Sequence, residues 1–130
     1  MQGVESLEFD MSARSRVIKL PFIILNMKTL RVLKLANIKL EDFDQVDFPL
    51  VKTLHLDRIR FISAKYIVKF LVGFPSLENL HSETSVMKEL PVPMKDVNAL
   101  PNLLKVRICD LNSTPMALVR KAKFLHIDKV

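Results

Sequence analysis

Apolar residues in this chain recur in a compound pattern that neither a plain strand nor a plain helix explains. Residues 30–40, LRVLKLANIKL, put Leu30, Leu33, Leu35, Ile38 and Leu40 at positions 1, 4, 6, 9 and 11 of a unit. The central L-x-L reads as a short strand whose alternate side chains are buried. The outer positions suit the chain entering and leaving that strand. The pattern returns as Val51, Leu54, Leu56, Ile59 and Phe61, and as Leu103, Val106, Ile108 and Leu111. Between them stands a copy that is degenerate after its first two positions: Leu77, Leu80, Ser82, Ser85 and Met87. A further copy holds Ala122, Leu125, Ile127 and Val130, and a partial one Val4, Leu7 and Phe9. The copies start near 4, 30, 51, 77, 103 and 122, in steps of 26, 21, 26, 26 and 19 residues.

This is the spacing of a leucine-rich repeat, with Ile38 at the ninth position where Asn or Cys is usual. The steps lie in or just below that class's period of roughly 20–29 residues. The pattern predicts an α/β leucine-rich-repeat solenoid, a single domain over residues 1–130 with about five repeats. Short parallel strands form its concave face; helices or irregular segments form its convex face. The strands are expected near residues 6–9, 32–35, 53–56, 78–81, 105–108 and 124–127, side by side in chain order. One unit cannot bury its own apolar face, so the copies must stack. Neither end offers an obvious polar cap, and the chain reads as a piece of a longer solenoid.

The connections are less regular. Residues 11–20 read as a polar, basic loop ending in a turn at Leu20-Pro21, and 22–25 as a short apolar convex segment. Residues 41–47 form an acidic loop before Pro49. Residues 63–74 make the best helix, with Ser63 as N-cap and Ile67, Phe70, Leu71 and Phe74 on one face. Lys65 and Lys69 lie opposite, and Gly73 and Pro75 end it. Residues 81–98, with Pro91 and Pro93, are expected to be mostly loop. Residues 115–120 read as one helical turn, with Thr114 as cap and Pro115 at its first position.

Composition narrows the setting. At 49% hydrophobic and 26% charged, the 130 residues suit one globular domain. No apolar run approaches the roughly 18 residues of a membrane span. The opening MQGVESLEFD lacks the basic and apolar regions of a secretory signal. Cys109 is the only cysteine, so no internal disulfide forms, which fits a reducing compartment. Cytoplasm or nucleus is the expected location, with no membrane partner. The net charge of +6 raises polyanion or nucleic-acid binding as an alternative. Against it, the basic residues are dispersed, Tyr66 is the only Tyr, and there is no Trp to stack on bases.

Positions 3, 5 and 7 of each unit point away from the leucines. Down position 5 run Glu8, Lys34, His55, His81, Arg107 and His126. Position 7 holds Asp10, Ala36, Asp57, Glu83, Cys109 and Asp128; position 3 holds Ser6, Val32, Thr53, Asn79, Lys105 and Phe124. All three histidines fall in one column. The candidate partner-binding face is Lys34, Thr53, His55, Asp57, Asn79, His81, Glu83, Lys105, Arg107 and His126. The plainer explanation is that any exposed repeat face is polar. His55 and His81 with Asp57 and Glu83 invite a divalent metal, yet two solvated imidazoles explain them as well, and no metal or cofactor is expected. Arg107 beside Cys109 invites a reactive thiol, against a quiet small residue. There is no G-x-S-x-G elbow, and Gly3 and Gly73 are too few for a phosphate-cradling loop. No catalytic constellation is found, so the chain is read as a binder, not an enzyme.

The blocks LPFIILNMKTLRVLKLANIKL, FPLVKTLHLDRIRF, FLVGFPSLENL, LPNLLKVRICDL and VRKAKFLHID follow one another from Val4 to Val130. In that order they resemble the leucine-rich region of plant F-box/LRR proteins, many of which also carry an FBD domain. The resemblance implies a substrate-receptor plan. An F-box docks on the Skp-type adaptor of a cullin ubiquitin ligase, and the repeats hold an unknown target protein. The chain departs from that plan, with no stretch before Val4 for an F-box and none after Val130 for an FBD domain. It reads as a truncated or degenerate relative, and binding to the Skp-type adaptor is not expected of it.

Overall fold

A computed structural model describes residues 4–10, 17–18, 27–40, 43, 46–90, 97–109 and 116–128. Within them lie strands β1 (Ser6–Asp10), β2 (Val17–Ile18), β3 (Val32–Leu40), β4 (Thr53–Phe61), β5 (Asn79–Val86), β6 (Lys105–Cys109) and β7 (Phe124–Asp128). Helices α1 (Ala64–Leu71) and α2 (Met116–Val119) complete a mixed α/β fold. The sheet is parallel in the order β1-β3-β4-β5-β6-β7, and β2 pairs with the end of β3 on the side that β1 occupies. The expected strands therefore stand in parallel and in chain order. Three of them run further than expected, and β2 forms where a loop was read. β5 continues to Val86, through residues expected to be irregular. The readings at Leu20-Pro21, 22–25, Pro91, Pro93, Leu111, Thr114, Pro115 and Val130 lie outside the described residues, as does most of the acidic loop 41–47.

Register follows the leucine pattern row by row. Leu7, Leu33, Leu54, Leu80, Val106 and Leu125 are successive partners, and so are Phe9, Leu35, Leu56, Ser82, Ile108 and Ile127. The rows are buried in the middle of the sheet and half-buried in β1; in β7 Leu125 is exposed. At the entrances of β3 to β6 one carbonyl receives two amide N–H groups from the next repeat, while Leu104 O at the entrance of β7 accepts from Phe124 N at 2.8 Å. Glu5 O accepts from Arg31 N (2.7 Å) and Val32 N (3.0 Å); Arg31 O accepts from Lys52 N (2.9 Å) and Thr53 N (3.2 Å). Lys52 O and Glu78 O repeat the arrangement one and two strands on.

After position 7 the strands need an extra residue to keep their apolar side chains inward. Asn37 and Arg58 supply it in the left-handed region, at φ 59° and 53°. That resets the alternation, so Ile38 and Ile59, three residues after Leu35 and Leu56, still point into the core. Asn is a tolerated occupant there, and Asn37 Nδ2 also donates to Asp10 Oδ1 at 2.9 Å; Arg58 has no such excuse. β5 lacks the extra residue, and the register shifts so that Ile59 faces Thr84 and Phe61 faces Val86. The inward set of the third repeat is therefore Leu80, Ser82 and Thr84, continuing to the half-buried Val86. This corrects the assignment of Ser85 and Met87: the copy is one residue shorter, so an 11-position template slides off it. Its two buried hydroxyls, Ser82 Oγ and Thr84 Oγ1, lie 3.5 Å apart.

Helix α1 covers the inner face with Ile67, Phe70 and Leu71. Its Phe70 meets Phe43 (5.9 Å), Phe61 (5.8 Å) and Phe74 (5.2 Å), and Phe74 stacks on Phe48 at 5.0 Å. Lys69, read as facing away from the core, lies over the Phe43 ring at 5.4 Å. Ser63 is the N-cap residue by backbone, but its hydroxyl makes no capping bond and the side chain is buried. After the helix, Gly73 O accepts from Phe48 N at 2.8 Å. A Cβ at Gly73 would lie 2.8 Å from the Val46 carbonyl carbon, so the close approach of these two backbones requires glycine.

Two stability measurements follow. Leu54→Ala, fully buried between two leucine rows, should cost about 2–5 kcal/mol in urea unfolding. His55→Ala, one residue on and facing outward, should cost about 0.5–1.5 kcal/mol, the scale of a ring stack; equal losses would mean the facing is wrong. Arg58→Gly should raise stability by about 1 kcal/mol by relieving the left-handed backbone, and a lower unfolding midpoint would contradict that strain.

Candidate functional site

The outward columns meet in the register that the repeat predicts. Thr53, Asn79 and Lys105 are successive partners; so are Lys34, His55, His81, Arg107 and His126, and so are Asp57, Glu83 and Cys109. The candidate side chains thus share one face of the sheet, opposite the buried leucines. All are half-buried or exposed.

In-register pairing sets like beside like, and three local arrangements result. The His55 and His81 rings stack, 5.4 Å between centroids and 20° between planes. Burial, then the adjacent His81, then Lys34 push the His55 pKa below its usual value. That shift favours the neutral form of His55. Asp57 and Glu83 do not offset it, because they engage each other. A hydrogen bond to Asp57, burial and the Asp57 charge raise the Glu83 pKa, so Glu83 holds a proton more readily than an isolated carboxylate.

The third arrangement centres on Asp128. Arg107 Nε donates to its Oδ2 at 2.8 Å, and His126 Nε2 lies 2.7 Å from its Oδ1. Those two hydrogen bonds hold the Asp128 carboxyl below its usual range, and the one from Arg107 also raises the Arg107 pKa. Cys109 Sγ sits 3.7 Å from the same Oδ2. Burial, then Asp128 and Glu83, push the thiol pKa up, and Arg107 is too weak an influence to reverse it. That disfavours the thiolate a nucleophilic cysteine needs and favours the reading of Cys109 as a quiet small residue. Nor does the cluster form a triad: the carboxylate, not the imidazole, stands beside the sulfur. Among the described residues, no group of three or more His, Cys, Asp or Glu side chains is placed to hold a metal ion. The two stacked imidazoles lie nearly parallel rather than converging on a common point.

An open hollow runs over β4 to β7 on this face. Its wall includes His55, His81, Lys105 and Arg107, which the repeat columns single out, and also Lys123 and Phe124. Those last two were not among the candidates. Lys123 occupies position 2, a column not taken as outward-facing. Phe124 sits in the outward position-3 column as its only aromatic residue, and it is 65% exposed; its place there was the available signal.

The depressed His55 pKa has a measurable consequence for folding. Its unfolded pKa is about 6.5, and the folded value is lower. The unfolded chain takes up this proton first, so the stability contribution is full above the unfolded pKa and is lost as pH falls through the folded one. The urea midpoint should therefore decline between about pH 7 and pH 5, and less steeply in His55→Gln. Identical slopes in the two proteins would show that His55 is not held neutral by the fold.

No family model matches the sequence, and no solved structure matches it. Among curated proteins, an F-box/FBD/LRR-repeat protein of Arabidopsis thaliana is 34% identical over 99 residues, covering 76% of this chain and 20% of that protein. An FBD-associated F-box protein of the same plant is 37% identical over 79 residues, covering 59% of this chain and 19% of that protein. The chain spans about a fifth of the length of these relatives. Over three quarters of its length, it is thus related to a segment of the plant F-box/FBD/LRR-repeat proteins.

Proposed function

We propose that this chain is a protein-binding module: a stretch of leucine-rich-repeat solenoid whose outward sheet face is the concave face and holds a target protein. The observation that carries the reading is the register. One parallel sheet collects polar side chains from five successive strands into adjoining columns on a single face. Repeat proteins commonly use such a face for binding. The relatives' names supply the setting, F-box, FBD and LRR-repeat. In that setting these residues correspond to the part that holds a substrate of a ubiquitin ligase, while docking on a Skp-type adaptor is not assigned to them. The module acts by binding rather than catalysis. The free Cys109 is compatible with the cytoplasm or nucleus. Among the described residues, no helix is long and apolar enough to cross a membrane.

Site-specific photo-crosslinking tests this. A photoreactive residue at Asn79, in the middle of the outward face, should capture a discrete partner protein in plant cells. The same residue at Lys65, exposed on α1 over the opposite face, should not. Equal capture from both positions would refute the assignment of the face.

A further inference from the structure

The hollow over β4–β7 is polarised. On its N-terminal side stand Lys105 and Lys123, both exposed. Neither has a carboxylate within ion-pair distance among the described residues; Glu78, the acid at position 2 of β5's repeat, is paired with Lys52 at 3.8 Å. Beyond its C-terminal side, outside the lining, run Asp57, Glu83 and Asp128, occupied with one another or with Arg58, Arg107 and His126. Unmatched positive charge is thus confined to one edge. Beside it Phe124, the register partner of Lys105, presents a 65% exposed ring. An aromatic surface left in water next to unmatched cations marks a place for an occupant that brings both carboxylates and an apolar side chain.

We propose that this hollow holds an extended acidic segment of the partner protein, its carboxylates on Lys105, Lys123 and the His55–His81 pair and an apolar side chain on Phe124. The proposal rests on the reading of this face as a protein-binding surface and adds the chemistry of what it binds. Four strands at about 4.8 Å spacing span about 15 Å, which accommodates four or five extended residues at about 3.3 Å each. A nucleic acid fits less well. Its unbroken phosphate row would run beside the Asp57, Glu83 and Asp128 row, and Phe124 is a single stacking ring where base binding uses several. A peptide can place its acids on the lysine side alone.

Proton uptake accompanies binding. The charged groups facing His55 are Lys34 from β3, His81 and, beyond it, Glu83 from β5, and Asp57 on its own strand. In the free protein burial, then His81 and Lys34, lower the His55 pKa. A carboxylate laid over the imidazole pair adds the missing opposite charge and favours the protonated ring. Affinity therefore rises as pH falls through the histidine range.

The test uses the whole chain and three labelled probes: a peptide of about six residues with Asp and Glu around one Phe, the same peptide with Lys for each acid, and an oligothymidylate of matching charge. Binding is read by fluorescence anisotropy, and location by the imidazole NMR signals of His55, His81 and His126. The acidic peptide should bind, shift those signals, and bind more tightly at about pH 5.5 than at about pH 7.5. Lys105→Gln with Lys123→Gln should weaken it by about tenfold or more, Lys65→Gln should not, and His55→Ala with His81→Ala should flatten the pH dependence. These are exposed or half-buried positions, and a cooperative unfolding transition for each variant confirms that it folds, with a lower midpoint for the histidine variant because the ring stack is lost. If the basic peptide shifts the signals and the acidic one does not, the inference is overturned while the protein-binding reading stands. Tighter binding of the oligothymidylate overturns it in favour of a nucleic-acid surface. If no probe perturbs the histidines, the inference fails. The broader reading then falls only if crosslinking at Asn79 fails as well.

Discussion

The entrances of β3, β4, β5 and β6 are each held by one carbonyl of the preceding repeat that accepts two amide protons. Glu5, Arg31, Lys52 and Glu78 all do so, at N···O distances from 2.7 to 3.2 Å. A parallel ladder with evenly spaced bonds has no strong internal cue to register, and a slip of one residue would turn every leucine toward water. The doubled acceptor ties the start of each strand to its neighbour, and the leucine rows, burying Leu33 against Leu54 and Leu54 against Leu80, make that alignment the favourable one. Everything on either face of the sheet inherits its position from this alignment.

The inner face shows what the alignment demands of the chain. β3 and β4 keep burying apolar residues past position 7 because Asn37 and Arg58 each take a left-handed conformation. β5 has no such residue, keeps a plain alternation, and carries Ser82 and Thr84 into the core where the other repeats place leucine and isoleucine. Their hydroxyls lie within reach of each other, which matters because an unpaired buried hydroxyl is costly. The aromatic cluster of Phe43, Phe61, Phe70 and Phe74 fills the layer between sheet and α1, and the Gly73–Val46 approach closes it.

The outer face shows what the same alignment forces on polar groups. In-register parallel strands put each column's residues side by side, so similar residue types crowd together. Histidine lies on histidine, and one stays neutral; aspartate lies on glutamate, and the pair raises the affinity of Glu83 for a proton. Arg107 escapes its column diagonally, to Asp128 on the next strand. Among the described residues Lys105 and Lys123 have no comparable outlet, and the exposed Phe124 shares the hollow with them. That unmatched edge gives the face its polarity.

Much of this was written in the linear pattern. The spacing of Leu30, Leu33 and Leu35 and its returns at Leu54, Leu80, Val106 and Leu125 determined a parallel sheet in chain order, because burial at period two within a longer repeat has few other solutions. The same numbering determined which side chains share the outer face, and the resemblance to plant F-box/LRR proteins was legible in the order of the blocks. What the spacing could not carry were effects one residue wide or wholly electrostatic. The missing residue in β5 moves its inward set from Ser85 to Thr84, and a fixed template has no means of seeing a backbone dihedral. The quieting of Cys109, the neutral His55 and the carboxylate pair depend on distances across strands and on burial. Only the tertiary structure decided these, because ionisation responds to what surrounds a group in space, and the sequence orders groups only along the chain.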